Sequence, residues 1–142
     1  MTTIAYRDGC IAGDTLACWG SNRDGFATKV AKLGPVLAGA SGSLSACQAF
    51  LDWFRSGMRG DPPAMPDGGA TAFGLIVTPV DDVLVWGPRG WERTRNAAVA
   101  MGSGSEFAQG AMEMGATAEQ AVRVAMVHDT KTGGDITVLR RD

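Results

Sequence analysis

The second residue of the chain is the first candidate for chemistry, because a threonine hydroxyl is a usable nucleophile only with a base beside it. Thr2 directly follows Met1, and methionine aminopeptidase normally acts on a methionine before a small residue. Removal would give Thr2 a free α-amine, whose ordinary pKa of about 7.7–8.0 leaves much of it unprotonated near neutral pH. One residue would then carry a nucleophile and its own base. A plain strand threonine is the alternative interpretation.

Lys29 is the second candidate, since a lysine between small residues has room to be partly enclosed. If FATKVAKL is one strand, Ala27, Lys29 and Ala31 share a face. A buried ammonium group needs a partner, and Asp14 in the preceding strand is the candidate. Such a cation would lower the pKa of a nearby amine or hydroxyl. A solvated surface lysine is the alternative.

Two later segments could also contribute polar groups. GSGSEF at 102–107 predicts a strand-to-helix junction, where backbone N–H groups and the Ser103 hydroxyl favour anions or polar groups. A tight turn with a helix cap explains the same residues. HDTKTGGD begins with His128-Asp129, but no GxSxG nucleophile elbow occurs in the chain. We therefore expect His128 to be a helix-end residue, where an imidazolium suits the helix dipole.

The bulk composition limits the class of protein. With 142 residues, 45% of them hydrophobic, the chain is expected to form one domain spanning 1–142. A net charge of −2 gives no electrostatic case for nucleic acid or an anionic membrane. No apolar run approaches the roughly 20 residues that span a bilayer, and the start lacks the pattern of a signal peptide. Three cysteines without a CxxC pair predict reduced thiols in the cytoplasm, and one histidine argues against a structural zinc site.

The periodicity predicts the element order ββββ-α-βββ(β)-αα-β. The predicted strands and helices are strands at 2–7, 10–20, 26–33 and 35–39, a helix from 43 to about 57, strands at 71–79, 81–87, 91–94 and 97–102, helices at 106–114 and from 117, and a last strand. A proline-rich loop is expected at 58–69. Grouped strands with helices between the groups favour antiparallel sheets. The predicted fold is α+β, a four-layer α/β/β/α sandwich of two antiparallel sheets.

Five short segments, taken in order, resemble the proteasome β-subunit family of N-terminal-nucleophile (Ntn) hydrolases, including its bacterial HslV-type peptidases. These segments are TTIAYRDGCIAGD, GFATKVAKL, VLAGASGS, MGSGSEFAQGAM and HDTKTGGDI. The resemblance implies a functional part for one or two residues of each segment: Thr2 as nucleophile, Asp14 as the strand-two aspartate, Lys29 as the catalytic lysine, Gly39 as the oxyanion-hole glycine, Ser103 as the active-site serine, and Asp129 with Thr132 as the late aspartate–serine pair.

The resemblance implies a threonine-type peptidase that cleaves peptides or unfolded proteins through an acyl-enzyme. It implies no metal or organic cofactor, a homo-oligomeric ring and a cytoplasmic location, with an ATPase as a candidate partner. Two features depart from the family: Thr132 replaces a serine, and the loop at 58–69 stands where a second helix is usual. Two other functions stay open, namely an Ntn hydrolase of small amides and a non-catalytic assembly protein that keeps the sandwich.

Overall fold

The computed structural model describes residues 2–67 and 71–141, and in these residues the chain forms eleven strands and three helices. In chain order the elements are β1 (Thr3–Arg7), β2 (Cys10–Asp14), β3 (Leu16–Trp19), β4 (Asn22–Phe26), β5 (Val30–Leu33), β6 (Val36–Ser41), α1 (Leu44–Arg55), β7 (Phe73–Val77), β8 (Asp82–Gly87), β9 (Gly90–Arg95), β10 (Ala98–Gly102), α2 (Ser105–Glu113), α3 (Ala118–His128) and β11 (Ile136–Arg140). Within the described ranges, no helix is both long and apolar enough to cross a membrane.

Two antiparallel sheets form the centre of the molecule. One has the strand order β10-β1-β2-β11, and the other has the order β5-β6-β7-β8-β9. Helix α1 packs on the outer face of the five-stranded sheet, while α2 and α3 pack on the outer face of the four-stranded sheet. Three apolar clusters fill the spaces between these layers. The prediction of an α+β sandwich with the layers α/β/β/α is therefore confirmed.

Helix α1 follows directly from its sequence. The Ser43 side chain accepts a hydrogen bond from the Ala46 N–H and caps the first turn. Apolar residues spaced by three and four then face the sheet, and all four are buried: Cys47, Phe50, Leu51 and Phe54. The helix ends before Gly57, whose φ of 106° suits glycine.

The first strands differ from the sequence prediction. The predicted strand at 10–20 divides after Asp14, because the N–H groups of Thr15 and Leu16 both donate to the carbonyl oxygen of Gly133. Of the predicted strand at 26–33, only Val30–Leu33 forms a strand of its own, β5, whereas Phe26 ends β4, which covers most of a stretch expected to be a turn. Lys29 lies in the link between β4 and β5. β3 and β4 pair only with each other and form a separate two-stranded sheet. The expectation that Lys29 sits within a strand is therefore wrong.

We expect Gly74→Ala to destabilise the contact between α1 and its sheet. Gly74 lies on β7 beneath the ring of Phe50, and an added Cβ would overlap that ring. Overpacking of this kind costs about 1–3 kcal/mol of unfolding free energy, which denaturant titration measures. Gly110→Ala is the matched control, because Gly110 lies in α2 with open space around it. Equal stability of the two variants would contradict this packing.

Candidate active site

The fold holds Thr2 at the edge of the sandwich interior. Thr2 immediately precedes β1, which lies between β10 and β2, and only 3% of the residue is exposed. Its carbonyl oxygen accepts a hydrogen bond from the Gly104 N–H at 3.4 Å. Gly102 has a φ of 101°, and an added Cβ there would overlap the Thr2 carbonyl. The GSGS turn therefore needs glycine in order to approach the start of β1.

The backbone of Thr2 is itself unusual. Its φ is 121°, in a region where a β-branched residue is a genuine outlier. Such a torsion costs on the order of 1–3 kcal/mol. The expected removal of Met1 concerns a residue outside the described ranges. That removal would abolish this torsion, because φ exists only while a peptide bond precedes the residue.

A buried ion pair lies next to the start of β1. The Lys29 Nζ donates to Asp14 Oδ1 at 3.0 Å, and the two side chains are 4% and 0% exposed. The same Asp14 oxygen accepts the Thr3 N–H at 3.0 Å, and its other oxygen accepts the Gly133 N–H at 3.0 Å. Each carboxylate oxygen is therefore hydrogen-bonded, as a buried charge requires. This geometry confirms the pairing of Lys29 with Asp14 expected from the sequence.

A second polar cluster surrounds Asp129, which follows α3. The Ser103 hydroxyl donates to Asp129 Oδ2 at 2.5 Å, and the Thr132 hydroxyl donates to the same oxygen at 2.6 Å. The Lys131 N–H donates to Oδ1 at 3.1 Å. Burial raises the pKa of Asp129, but the bonds from Ser103, Thr132 and Lys131 lower it, and its net pKa lies below the usual value.

The stability contributed by Asp129 is expected to depend on pH. Because its pKa is lower in the folded state, this contribution is present above the unfolded pKa of about 3.9 and is lost as pH falls through the folded value. We expect Asp129→Asn to cost about 1.5–3 kcal/mol near pH 7 and progressively less in acid. Denaturant unfolding between pH 7 and 3 measures the difference. Asp135→Asn, at an exposed site, is the control, and a pH-independent loss for Asp129→Asn would contradict this account.

Thr2 and Lys29 line one small pocket, whose volume of about 20 Å³ has room for a single water molecule. The pocket is lined by Thr2, Leu16, Ala17, Cys18, Lys29, Gly42, Leu44 and Cys47. Burial raises the pKa of the Cys47 thiol to about 11, although the neighbouring Lys29 charge lowers it. The Cys47 thiol is therefore protonated at neutral pH and does not compete as a nucleophile.

Gly39 and Gly42 occupy different environments. Gly39 lies within β6, opposite Val30 and Leu75, and an added Cβ would come within 2.8 Å of the Ile4 side chain. The structure does not bring Gly39 into the pocket of Thr2. Gly42 does line that pocket. It directly follows the end of β6 and has a φ of 111°.

The structure thus gathers six of the seven predicted residues at the start of β1, and Gly39 is the exception. The six are Thr2, Asp14, Lys29, Ser103, Asp129 and Thr132. The sequence reasoning missed Gly42 and Thr3, for which the signals were a glycine just after a strand and a second hydroxyl beside Thr2. His128 ends α3 as predicted and stacks on Phe107, with ring centroids 5.2 Å apart. No group of three potential metal-ligating side chains occurs in the part of the chain that the structure describes.

The fold is similar to that of two solved structures over nearly the whole chain. The Thiobacillus denitrificans BPH in complex with Epoxomicin is 20% identical, covers 99% of this chain and 98% of its own, and gives a TM-score of 0.67. The eukaryotic HslV from Trypanosoma brucei is 17% identical, and the match covers 99% of this chain and 99% of the HslV chain with a TM-score of 0.66. No protein-family model and no curated protein sequence matches the chain. At these identities the likeness establishes the fold, and this is the fold expected from the sequence segments.

Proposed function

We propose that this chain, which shares its fold with the HslV and BPH structures, is an N-terminal threonine peptidase. One observation carries the proposal: the fold places Thr2 in a pocket with Lys29, beside the Ser103–Asp129–Thr132 cluster. The proposal requires removal of Met1, because only then does Thr2 have a free amine.

The first step would form an acyl-enzyme. The Thr2 Oγ1 attacks the carbonyl carbon of the substrate peptide bond, and its proton passes to the Thr2 amine, directly or through one water. The Lys29 ammonium supplies positive potential that favours the deprotonated oxygen. The Ser103, Asp129 and Thr132 cluster orients the amine and the water that carries the proton.

The negative charge that develops on the carbonyl oxygen needs a hydrogen-bond donor. Among the two candidate glycines, Gly42 is the better choice, because it borders the pocket of Thr2 and Gly39 does not. A single such donor contributes about 2.7–4 kcal/mol to catalysis. We therefore move the proposed oxyanion contact from Gly39 to Gly42.

Collapse of the tetrahedral intermediate would break the C–N bond, and the Thr2 ammonium would return its proton to the leaving amine. Water would then attack the ester by the same route and release the carboxylic acid product. Each step uses groups of this chain and the substrate, so the proposed chemistry requires no metal or organic cofactor.

We further propose that the substrates are peptides or unfolded proteins and that the chain works as a homo-oligomeric ring in the cytoplasm, with an ATPase as a candidate partner. Cys10, Cys18 and Cys47 are all free thiols, which accords with a reducing compartment. Gel filtration or native mass spectrometry tests the ring. A monomer or dimer would instead favour hydrolysis of a small amide.

The first experiment is the intact mass of the purified protein, followed by hydrolysis of fluorogenic peptide amides. We expect a mass lacking one methionine, amide hydrolysis and binding of epoxomicin, the compound in the Thiobacillus BPH structure. Full retention of Met1 from a host able to remove it would overturn self-activated catalysis. The alternative of a non-catalytic assembly protein would then be favoured.

A further inference from the structure

Thr3 contacts both polar clusters of the site. The residue is fully buried, and its N–H donates to the Asp14 oxygen that also accepts Lys29, each at 3.0 Å. Its Oγ1 lies 2.7 Å from the Oγ1 of Thr132. The backbone of Thr3 therefore contacts the ion pair, while its side chain contacts the cluster around Asp129.

The direction of the bond between the two threonines follows from counting protons. Thr132 Oγ1 donates its only proton to Asp129 Oδ2 at 2.6 Å, because a carboxylate can only accept. Thr3 must therefore donate to Thr132. The hydroxyl relay runs from Thr3 to Thr132 to Asp129, and each bond polarises the next.

The position of the Thr3 hydroxyl is sterically defined. An added Cβ on Gly104 would overlap Thr3 Oγ1 and would come within 2.9 Å of the Ala125 Cβ. Glycine at 104 thus leaves room for the hydroxyl between the GSGS turn and α3. The same turn carries Ser103, which donates to the same oxygen of Asp129 as Thr132 does.

We propose that Thr3 is a positioning residue, whose hydroxyl sets the hydrogen bonding of Asp129 and through it the placement of the Thr2 amine. This inference rests on the proposed function. Without the Thr3 proton, Thr132 is a weaker donor to Asp129, and the carboxylate is less well stabilised. Ser103, whose hydroxyl also lies 3.4 Å from the Thr2 carbonyl oxygen, then loses the fixed acceptor that orients it.

The test compares Thr3→Val, which removes the hydroxyl at nearly constant volume, with Thr3→Ser, which keeps it. Thr137→Val on β11 is the matched control for the same substitution in a strand. For Thr3→Val we expect kcat for a peptide amide to fall by about tenfold, with KM within about twofold of the parent. Thr3→Ser should recover kcat to within about threefold of the parent.

A second readout does not depend on catalysis. The pKa of the Asp129 carboxyl group, followed by ¹³C NMR, should rise in Thr3→Val and return to the parent value in Thr3→Ser. A purely structural threonine would lower the unfolding midpoint without producing this pattern. If Thr3→Val does not fold, Thr3→Ala removes the same hydroxyl and gives the same two readouts.

The outcomes separate this inference from the proposed function. An active parent enzyme whose kcat and Asp129 pKa are both unchanged by loss of the Thr3 hydroxyl would overturn the inference alone. An inactive parent lacking Met1, in which the Asp129 pKa still follows the hydroxyl, would overturn the proposed function and uphold the relay. Changes in both quantities that Thr3→Ser restores would support both.

Discussion

Thr2→Ala is expected to lower kcat/KM for peptide amides by about four to six orders of magnitude, because it removes the proposed nucleophile and leaves its amine in place. Alanine is also a small residue, so removal of Met1 should still occur. The pairing of β1 with β10 and β2 is made by the backbone, and the fold should therefore persist. Steady-state kinetics with fluorogenic peptide amides measure the loss, and intact mass checks that Met1 has been removed.

Thr2→Ser is the matched control, since it retains a hydroxyl on a small residue beside the same amine. We expect this variant to keep measurable hydrolysis. If Thr2→Ala hydrolysed peptides as fast as the parent, the reaction would belong to another residue, and the proposed mechanism would be wrong.

Lys29→Met is expected to combine the second-largest loss of activity with a loss of stability. The substitution leaves the buried Asp14 carboxylate with its bonds from the Thr3 and Gly133 N–H groups but without a counter-charge. Breaking a buried ion pair in this way costs about 3–5 kcal/mol of unfolding free energy. Denaturant titration at pH 7 measures the cost. Lys32→Met removes an exposed lysine on β5 whose ammonium group donates to the Arg140 carbonyl oxygen, and it should cost no more than about 1 kcal/mol.

The double variant Asp14→Asn/Lys29→Met separates stability from catalysis. It removes both charges. We expect it to lose less unfolding free energy than the sum of the losses in Asp14→Asn and in Lys29→Met. Activity should stay lost, because no cation remains beside Thr2. Additive losses of stability would show that the two side chains do not act as a buried pair, and recovered activity would remove Lys29 from the mechanism.

The layers of the fold were predictable because they depend on local patterns. Alternating apolar residues gave the strands, and the spacing of Cys47, Phe50, Leu51 and Phe54 gave α1. The break after Asp14 was not predictable from a window of sequence. The groups that cause it, the Thr15 N–H and the Gly133 carbonyl, are distant in the chain and meet only in the folded protein.

In the candidate site too, some residues were predictable from local sequence and others only from the folded protein. Thr2, Asp14 and Lys29 were predictable from short segments whose residue types suit the chemistry. Gly42 was not, because its positive φ and its place in the pocket arise from the turn between β6 and α1 and the loop packed against it. Thr3 was missed because a hydroxyl in a strand gains its importance only when Thr132 lies opposite.

The hydrogen bonds from Gly133 to Asp14 and from Thr3 to Thr132 have a consequence for the timing of synthesis. They join the first residues of the chain to some of the last. A growing chain cannot complete the proposed site until the loop between α3 and β11 has been synthesised and has docked. If the proposed function holds, activity would appear only after Thr132 and Gly133 have docked against Thr3 and Asp14, so that it would report the folding of this domain.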